Sequence, residues 1–196
     1  VQTCALPIYG WDIVLTDNTA WLMDNGHHKY LYKMIGAGLS NHANCIIGIH
    51  VSNPAQITRL QVSGMAGGSV TNPPLFCTKN SILLAYDSAK AFLQAYQVVN
   101  QVANQVTHQE LIPIWSKQAF GCASHMVLMQ SSNTVWINDY RRLGEEVVAL
   151  DLLTGEEKAR IRTPGKMQGV VFPAMGWGND IYWSSMDRVS RIYLEE

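Results

Sequence analysis

Short runs rich in Val, Ile and Leu alternate with polar residues, and Gly, Pro, Asn or Asp separates each run from the next. This pattern predicts β strands joined by turns. The runs form three groups of four and a last group of three. The first group comprises residues 12–16, 20–24, 45–51 and 57–62. The second comprises residues 74–77, 82–86, 91–99 and 111–116. The third comprises residues 125–130, 134–138, 145–151 and 157–163, and the last comprises 169–173, 181–184 and 189–194.

The third run of each group repeats along the chain. Gly48-Ile49-His50 matches Ala149-Leu150-Asp151 at a distance of 101 residues, and Ala95-Tyr96-Gln97 falls about midway. A period of about 50 residues is typical of four-stranded propeller blades of the kelch or quinoprotein type. We therefore expect these runs to be equivalent third strands.

Residues 145–164 form the clearest hairpin, with Leu153-Thr154-Gly155 as its turn. The pattern A-x-D-x-x-T-G-x-E, from Ala149 to Glu157, resembles the outer hairpin of quinoprotein-like (PQQ-like) β-propeller repeats. Those repeats usually carry Trp two residues after the acid, where this chain has Ala159, so the resemblance concerns the fold and not the cofactor. It implies an all-β fold, namely a β-propeller fragment of about four four-stranded blades with the last blade incomplete.

The composition is that of a globular protein, with 47% hydrophobic and 15% charged residues and a net charge of −1. No basic run indicates nucleic acid, and no apolar run reaches the roughly 20 residues of a membrane span. Residues 1–8 resemble a translated sequencing adapter, so we expect one propeller domain over residues 9–196 that continues N-terminally. The compartment cannot be derived from the sequence, although a periplasmic or secreted location would fit the fold resemblance. Cys45, Cys77 and Cys122 are interpreted as buried thiols.

Three segments fit the repeat less well. Residues 25–44 are long for a connection within a blade, and such loops are often functional. Residues 98–109 carry Val at every fourth position, which allows a helix, but their β-branched content favours a strand that runs into a polar loop. The Gly-rich segment 63–68 is interpreted as a linker between blades.

Polar residues follow the second and fourth strands of the groups. In a propeller these loops open on one face of the disc, whereas the loops after the first and third strands are short turns on the other face. We expect a ligand on the polar face, near the central channel. The expected ligand-binding residues are Asn72, Asp87, Asn138, Gln168 and Arg188.

His125 is the strongest catalytic candidate, because it begins an innermost strand and could act as a base or metal ligand. Asp139 would orient it, and Arg141 would hold an anionic or polyhydroxy ligand. The alternative is a histidine that caps the strand, beside a turn made by Asn138 and Asp139.

His27, His28 and His42 form a weak metal candidate, because neighbouring histidines of a strand point to opposite faces. No calcium loop, P-loop, nucleophile elbow or dinucleotide motif is present. Trp21, Trp136 and Trp183 recur on second strands and are expected to pack between blades, whereas Trp177 lies in an exposed turn.

Three functions stay open. The favoured one is a non-catalytic propeller that binds a protein or a small polar ligand on the His/Asp/Arg-rich face. The rival is a propeller enzyme, quinoprotein-dehydrogenase-like or metal-dependent, with its site around His125. The third is a blade array without a ligand. The cofactor is unknown, because the calcium and carboxylate site of the quinoproteins is not evident here.

Overall fold

The computed structural model describes residues 13–24, 43–66, 73–87, 90–103, 106–118, 126–141, 144–163, 173–185 and 187–195. Within these ranges every regular element is a β strand, which confirms the all-β prediction. The chain divides into two compact units, Val1–Gln118 and Ala119–Glu196.

The first unit contains two antiparallel four-stranded sheets, each in simple sequential order. The first sheet consists of β1 (Val14–Thr16), β2 (Thr19–Asp24), β3 (Ala43–His50) and β4 (Ile57–Ala66). The second sheet consists of β5 (Leu75–Cys77), β6 (Ile82–Asp87), β7 (Phe92–Ala103) and β8 (Val106–Gln118).

The second unit contains a four-stranded and a three-stranded sheet, again antiparallel and sequential. The third sheet consists of β9 (Val127–Met129), β10 (Thr134–Arg141), β11 (Gly144–Asp151) and β12 (Glu157–Arg162). The fourth sheet consists of β13 (Ala174–Met175), β14 (Asp180–Ser184) and β15 (Val189–Tyr193).

The predicted repeat is confirmed at its third strands. β3 and β11 have equal length, and their first and last residues are each 101 positions apart. Ala95-Tyr96-Gln97 lies in β7, the third strand of the second sheet. β13 begins at Ala174, and residues 169–172 of the strand predicted at 169–173 lie outside the described part of the chain.

The segment predicted as strand and polar loop is a long β hairpin. β7 continues to Ala103, and β8 pairs with it from Val106 onward, so the helical alternative is wrong and most of the expected loop is strand. Val98 is buried, whereas Val102 on the same face is 72% exposed, so the hairpin extends beyond the core. The predicted linker is also shorter than expected, because its first four residues belong to β4.

The three tryptophans of the second strands fill the cores, as predicted. Trp21 is fully buried in a cluster that joins both sheets of the first unit. The partners from the second sheet are Leu83, Ala85, Tyr96, Val98 and Leu111. Trp136 and Trp183 lie together in one cluster of the second unit, between the third and fourth sheets. Trp177 is 88% exposed, also as predicted.

Gly48 gives a testable consequence of this packing. It is paired with Trp21 across β2 and β3, and a Cβ atom on Gly48 would lie 2.5 Å from Cζ3 of the indole. Gly48→Ala is therefore expected to lower the free energy of unfolding by about 1–3 kcal/mol through overpacking. Urea unfolding measures the effect, and Trp21→Phe in the same chain should reduce the penalty of the alanine. An unchanged penalty in that double variant would contradict the packing argument.

Candidate functional site

The two ends of each sheet differ in chemistry. We call the end where the second strand runs into the third the loop end, and the opposite end the turn end. At the turn end of the third sheet, hydrogen bonds to one side chain hold the turn between β11 and β12. Asp151 Oδ1 accepts hydrogen bonds from Leu153 N at 2.8 Å and Thr154 N at 3.1 Å. Gly155 completes this turn at a φ of 73°. The buried polar side chains of Asn138, Asp139 and Glu145 lie at the loop end.

Glu145 is the most unusual of these side chains. It lies at the start of β11, opposite Tyr140 of β10, and is 2% exposed. Strand alternation places Glu145 and Asn138 on the same face of the sheet as Trp136. Asn138 is itself fully buried. A carboxyl group and an amide are thus buried together at the loop end of the core between the third and fourth sheets.

The electrostatics of Glu145 follow from this burial. Burial raises the pKa of its carboxyl group, and the neighbouring Asn138 side chain opposes the rise. The carboxyl Oε1 has no hydrogen-bond partner among the residues that the structure describes. Because an unsatisfied buried acceptor costs free energy, this oxygen is suited to a donor supplied by a ligand.

The equivalent position of the first sheet carries the same feature. Asn44 is the second residue of β3, as Glu145 is the second residue of β11, and it is fully buried. Neither its Oδ1 nor its Nδ2 has a hydrogen-bond partner within the described ranges. Two repeats therefore place an unsatisfied polar side chain at one structural position.

The opposite face of the third sheet carries a charged cluster. Arg160 Nη1 donates to Asp139 Oδ2 at 2.8 Å and to Glu146 Oε2 at 2.5 Å. Arg160 Nε and Nη2 donate to Glu157 at 2.9 and 2.8 Å. The hydrogen bonds to Glu157 make the largest contribution to raising the pKa of Arg160, and those to Asp139 and Glu146 add to it. This guanidinium neutralises charge at Asp139, which is fully buried.

An aspartate recurs at the loop end. Asp24, Asp87 and Asp139 are each the sixth residue of a second strand. Asp87 is fully buried; its Oδ2 accepts from Ser63 Oγ at 2.8 Å and its Oδ1 from Lys90 N at 3.2 Å. Asp87 thus ties β4 of the first sheet to the second sheet, and its expected part in ligand binding stays a prediction.

The predicted site residues are only partly described. Asn138 ends the strand predicted at 134–138, and Asp139 lies within β10 and not in the expected loop, because β10 continues to Arg141 and leaves only residues 142–143 before β11. Their side chains alternate, so they lie on opposite faces of the sheet. Arg188 is exposed in the β14–β15 turn, where its carbonyl accepts from Ser185 N at 2.9 Å and its guanidinium lies 3.4 Å from Asp187. The remaining predicted residues lie outside the described ranges, as does the side chain of Arg141: His27, His28, His42, Asn72, His125 and Gln168.

Sequence reasoning missed Glu145 and Arg160. Glu145 was assigned to a strand without a functional role, although the adjacent acids Glu145 and Glu146 must point to opposite faces of any strand. That alternation was a usable signal that one of the two carboxylates faces the core. The contacts of Arg160 depend on cross-strand register, which the sequence does not specify.

The described residues lack two further features. No group of three or more His, Cys, Asp or Glu side chains there is arranged to hold a metal ion. The same part of the chain contains no helix with the length and apolar character of a membrane span.

Comparison with known proteins gives a match in structure but not in sequence. No known protein family matches the chain, and no curated protein matches it. A luciferin-regenerating enzyme, a β-propeller, is similar in structure with a TM-score of 0.51 at 11% identity. The alignment covers 89% of this chain and 52% of that protein, so this chain spans about half the length of its structural relative. The likeness shows the fold alone: this chain is an all-β propeller fragment with three four-stranded sheets and a last sheet of three strands.

Proposed function

We propose that this chain is a non-catalytic β-propeller module that binds a small polar ligand at the loop end of the third sheet. The supporting observation is the buried Glu145 carboxyl group, whose Oε1 has no hydrogen-bond partner among the described residues. Proteins seldom bury such a group without a partner, and the exceptions concentrate at functional sites. Asn72, Asp87, Gln168 and Arg188 stay predicted ligand-binding residues.

The chemistry of Glu145 and Asn138 suggests which ligand would bind. A carboxylate accepts hydrogen bonds only, and a cationic donor would also offset the cost of its buried charge. Asn138 adds an amide beside it, which can orient a second polar group of the ligand. The proposed ligand is therefore a small molecule with a primary ammonium group and an adjacent polar group.

We further propose that the repeats are of the quinoprotein-like (PQQ-like) type. The hairpin geometry supports this assignment, because Asp151, Thr154 and Gly155 form one hydrogen-bonded turn between β11 and β12. Gly155 N donates to Asp151 O at 2.8 Å, in addition to the side-chain contacts of Asp151. The assignment concerns the repeat type and carries no cofactor with it.

A propeller enzyme is the second candidate. The raised pKa of Glu145 favours it, because a buried carboxyl group that stays protonated at higher pH can act as a general acid. His125, Asp139 and Arg141 remain its proposed partners from the sequence. A bell-shaped pH profile of any turnover that disappears in Glu145→Gln would favour this candidate over simple binding.

Glu145→Gln gives a stability prediction with a defined pH dependence. Because the folded-state pKa is raised, the wild-type protein loses stability as pH rises from about 4.5 through the higher folded-state value. The glutamine variant lacks this loss. We expect equal stability near pH 4 and a gain of about 1 kcal/mol for the variant near pH 8. Urea unfolding at both pH values measures the difference, and a variant that is less stable at pH 8 would contradict the argument.

Ligand-observed NMR tests the proposed function. The probes are ethanolamine, L-lysine and putrescine, each offered to the wild-type chain, Glu145→Gln and the matched control Glu156→Gln. Glu156 is exposed at the turn end of the same sheet, so its loss should not change binding. We expect saturation transfer to at least one amine with the wild type and the control, and none with Glu145→Gln. Equal transfer with all three proteins would reject the site.

A further inference from the structure

A concave site lies in the first unit, at the turn end of the first two sheets. It is a cavity of about 200 Å³, below the roughly 300–1,000 Å³ of pockets for drug-sized ligands. Any ligand that fits must therefore be small. The cavity is distinct from the loop-end site of the proposed function, because it is built from the opposite ends of different sheets.

One wall of this cavity is a continuous chain of hydrogen bonds. Trp21 Nε1 donates to Thr16 Oγ1 at 3.0 Å, and the Thr16 hydroxyl donates to Gln109 Oε1. Gln109 Nε2 donates to Asn100 Oδ1 at 3.1 Å, and Asn100 Nδ2 donates to Asp17 Oδ2 at 3.3 Å. The chain of bonds crosses from the first sheet to the second and fixes the orientation of each amide. Such preorganised amides and hydroxyls recognise ligands at low entropic cost.

The inner part of the cavity is lined by polar, uncharged side chains. Thr16 and Gln109 are each 8% exposed, whereas the carboxylate of Asp17 lies on the exposed rim. A cation in the depth would lose its hydration without gaining a counter-charge, which is unfavourable. The lining also includes the apolar side chains of Leu15, Phe76 and Val98. This mixed lining suits a neutral molecule that carries both hydroxyl and C–H groups.

We propose that this cavity binds a neutral polyhydroxy compound of monosaccharide size. At the rim, Asp17 accepts hydrogen bonds from its hydroxyls, and Asn100 accepts and donates. Further inside, the Thr16 hydroxyl oxygen accepts and Gln109 Nε2 donates. The ring of Phe76 covers an apolar face of the compound. No covalent bond is formed or broken in the proposed complex.

Calorimetric titration of the full chain with D-glucose, D-mannose and myo-inositol tests this proposal. We expect at least one of the three to bind, and Asn100→Ala and Asp17→Asn to weaken that affinity about tenfold. The matched control is Gln101→Ala, which removes an exposed amide on the opposite face of the same strand, where Gln101 Nε2 contacts Glu110 at 3.2 Å. The affinity of the Gln101→Ala variant for the same compound should equal that of the wild type.

Each other outcome overturns the proposal. Binding of none of the three compounds, or undiminished binding by Asn100→Ala, shows that the cavity is not their site. Binding of L-lysine that Asn100→Ala abolishes shows that the cavity takes cations instead. Glu145→Gln should leave sugar binding unchanged, so failure of this proposal and failure of the loop-end site can be told apart.

Discussion

Replacing Arg160 with methionine is expected to lower the free energy of unfolding by about 3–5 kcal/mol. Its guanidinium lies 2.8 Å from the carboxylate of the fully buried Asp139 and also bonds to Glu146 and Glu157. Methionine keeps the aliphatic packing but removes the positive charge. Three carboxylates then remain close together, one of them shielded from solvent, so the loss should be far larger than for a surface ion pair.

Urea unfolding measures this loss, with two variants as references. Asp139→Asn in the Arg160→Met background removes the buried charge and should recover more than half of the lost stability. Arg188→Met breaks the exposed pair with Asp187 and should change stability by no more than about 0.5 kcal/mol. If Arg160→Met costs no more than Arg188→Met, the charged cluster does not stabilise the third sheet.

Trp21→Ala should destabilise the first unit by about 3–5 kcal/mol. The indole is fully buried between the first and second sheets, and its Nε1 donates a hydrogen bond to Thr16. The substitution leaves a large cavity in the core and removes the donor that orients the Thr16 hydroxyl. Both effects lower the free energy of unfolding.

Trp177→Ala is the matched control for that loss. Trp177 is 88% exposed in the turn before β14, so its truncation should alter stability by no more than about 0.5 kcal/mol. Chemical unfolding followed by circular dichroism avoids the loss of the fluorescent reporter. Similar effects for the two tryptophans would contradict the assignment of Trp21 to the core that joins the sheets.

Local pattern predicted the strands well, because the relevant signal is contained in a few neighbouring residues. Every predicted group of runs has a counterpart among the sheets. The first and last residues of β3 and β11 are each 101 positions apart, as the predicted repeat requires. Trp21, Trp136 and Trp183 were assigned to the core from recurrence alone. A large aromatic residue at a repeated strand position is most readily buried in the space between two sheets.

The candidate site was predicted less well, because its contacts depend on distant residues. Asp139 was expected in the loop after a strand that ends at Asn138, yet it lies in β10, since pairing with β11 extends that strand to Arg141. Arg160 contacts Asp139 across two strands, and no local pattern specifies that register. The long β7–β8 hairpin was underestimated for the same reason, because its polar residues are held by pairing between strands and not by a buried face.

The most direct test of the loop-end site is a calorimetric comparison of amine affinity between the wild-type chain and Glu145→Gln near pH 7. The amine is whichever of ethanolamine, L-lysine and putrescine gives the strongest NMR signal. We predict that the affinity for the amine falls at least about tenfold in Glu145→Gln, because the carboxylate that binds the amine is lost. The free energy of unfolding of the variant should be equal to or higher than that of the wild type, because burial of the carboxylate is unfavourable for folding. Equal affinities in two folded proteins, or no binding of any amine to the wild type, would contradict the account.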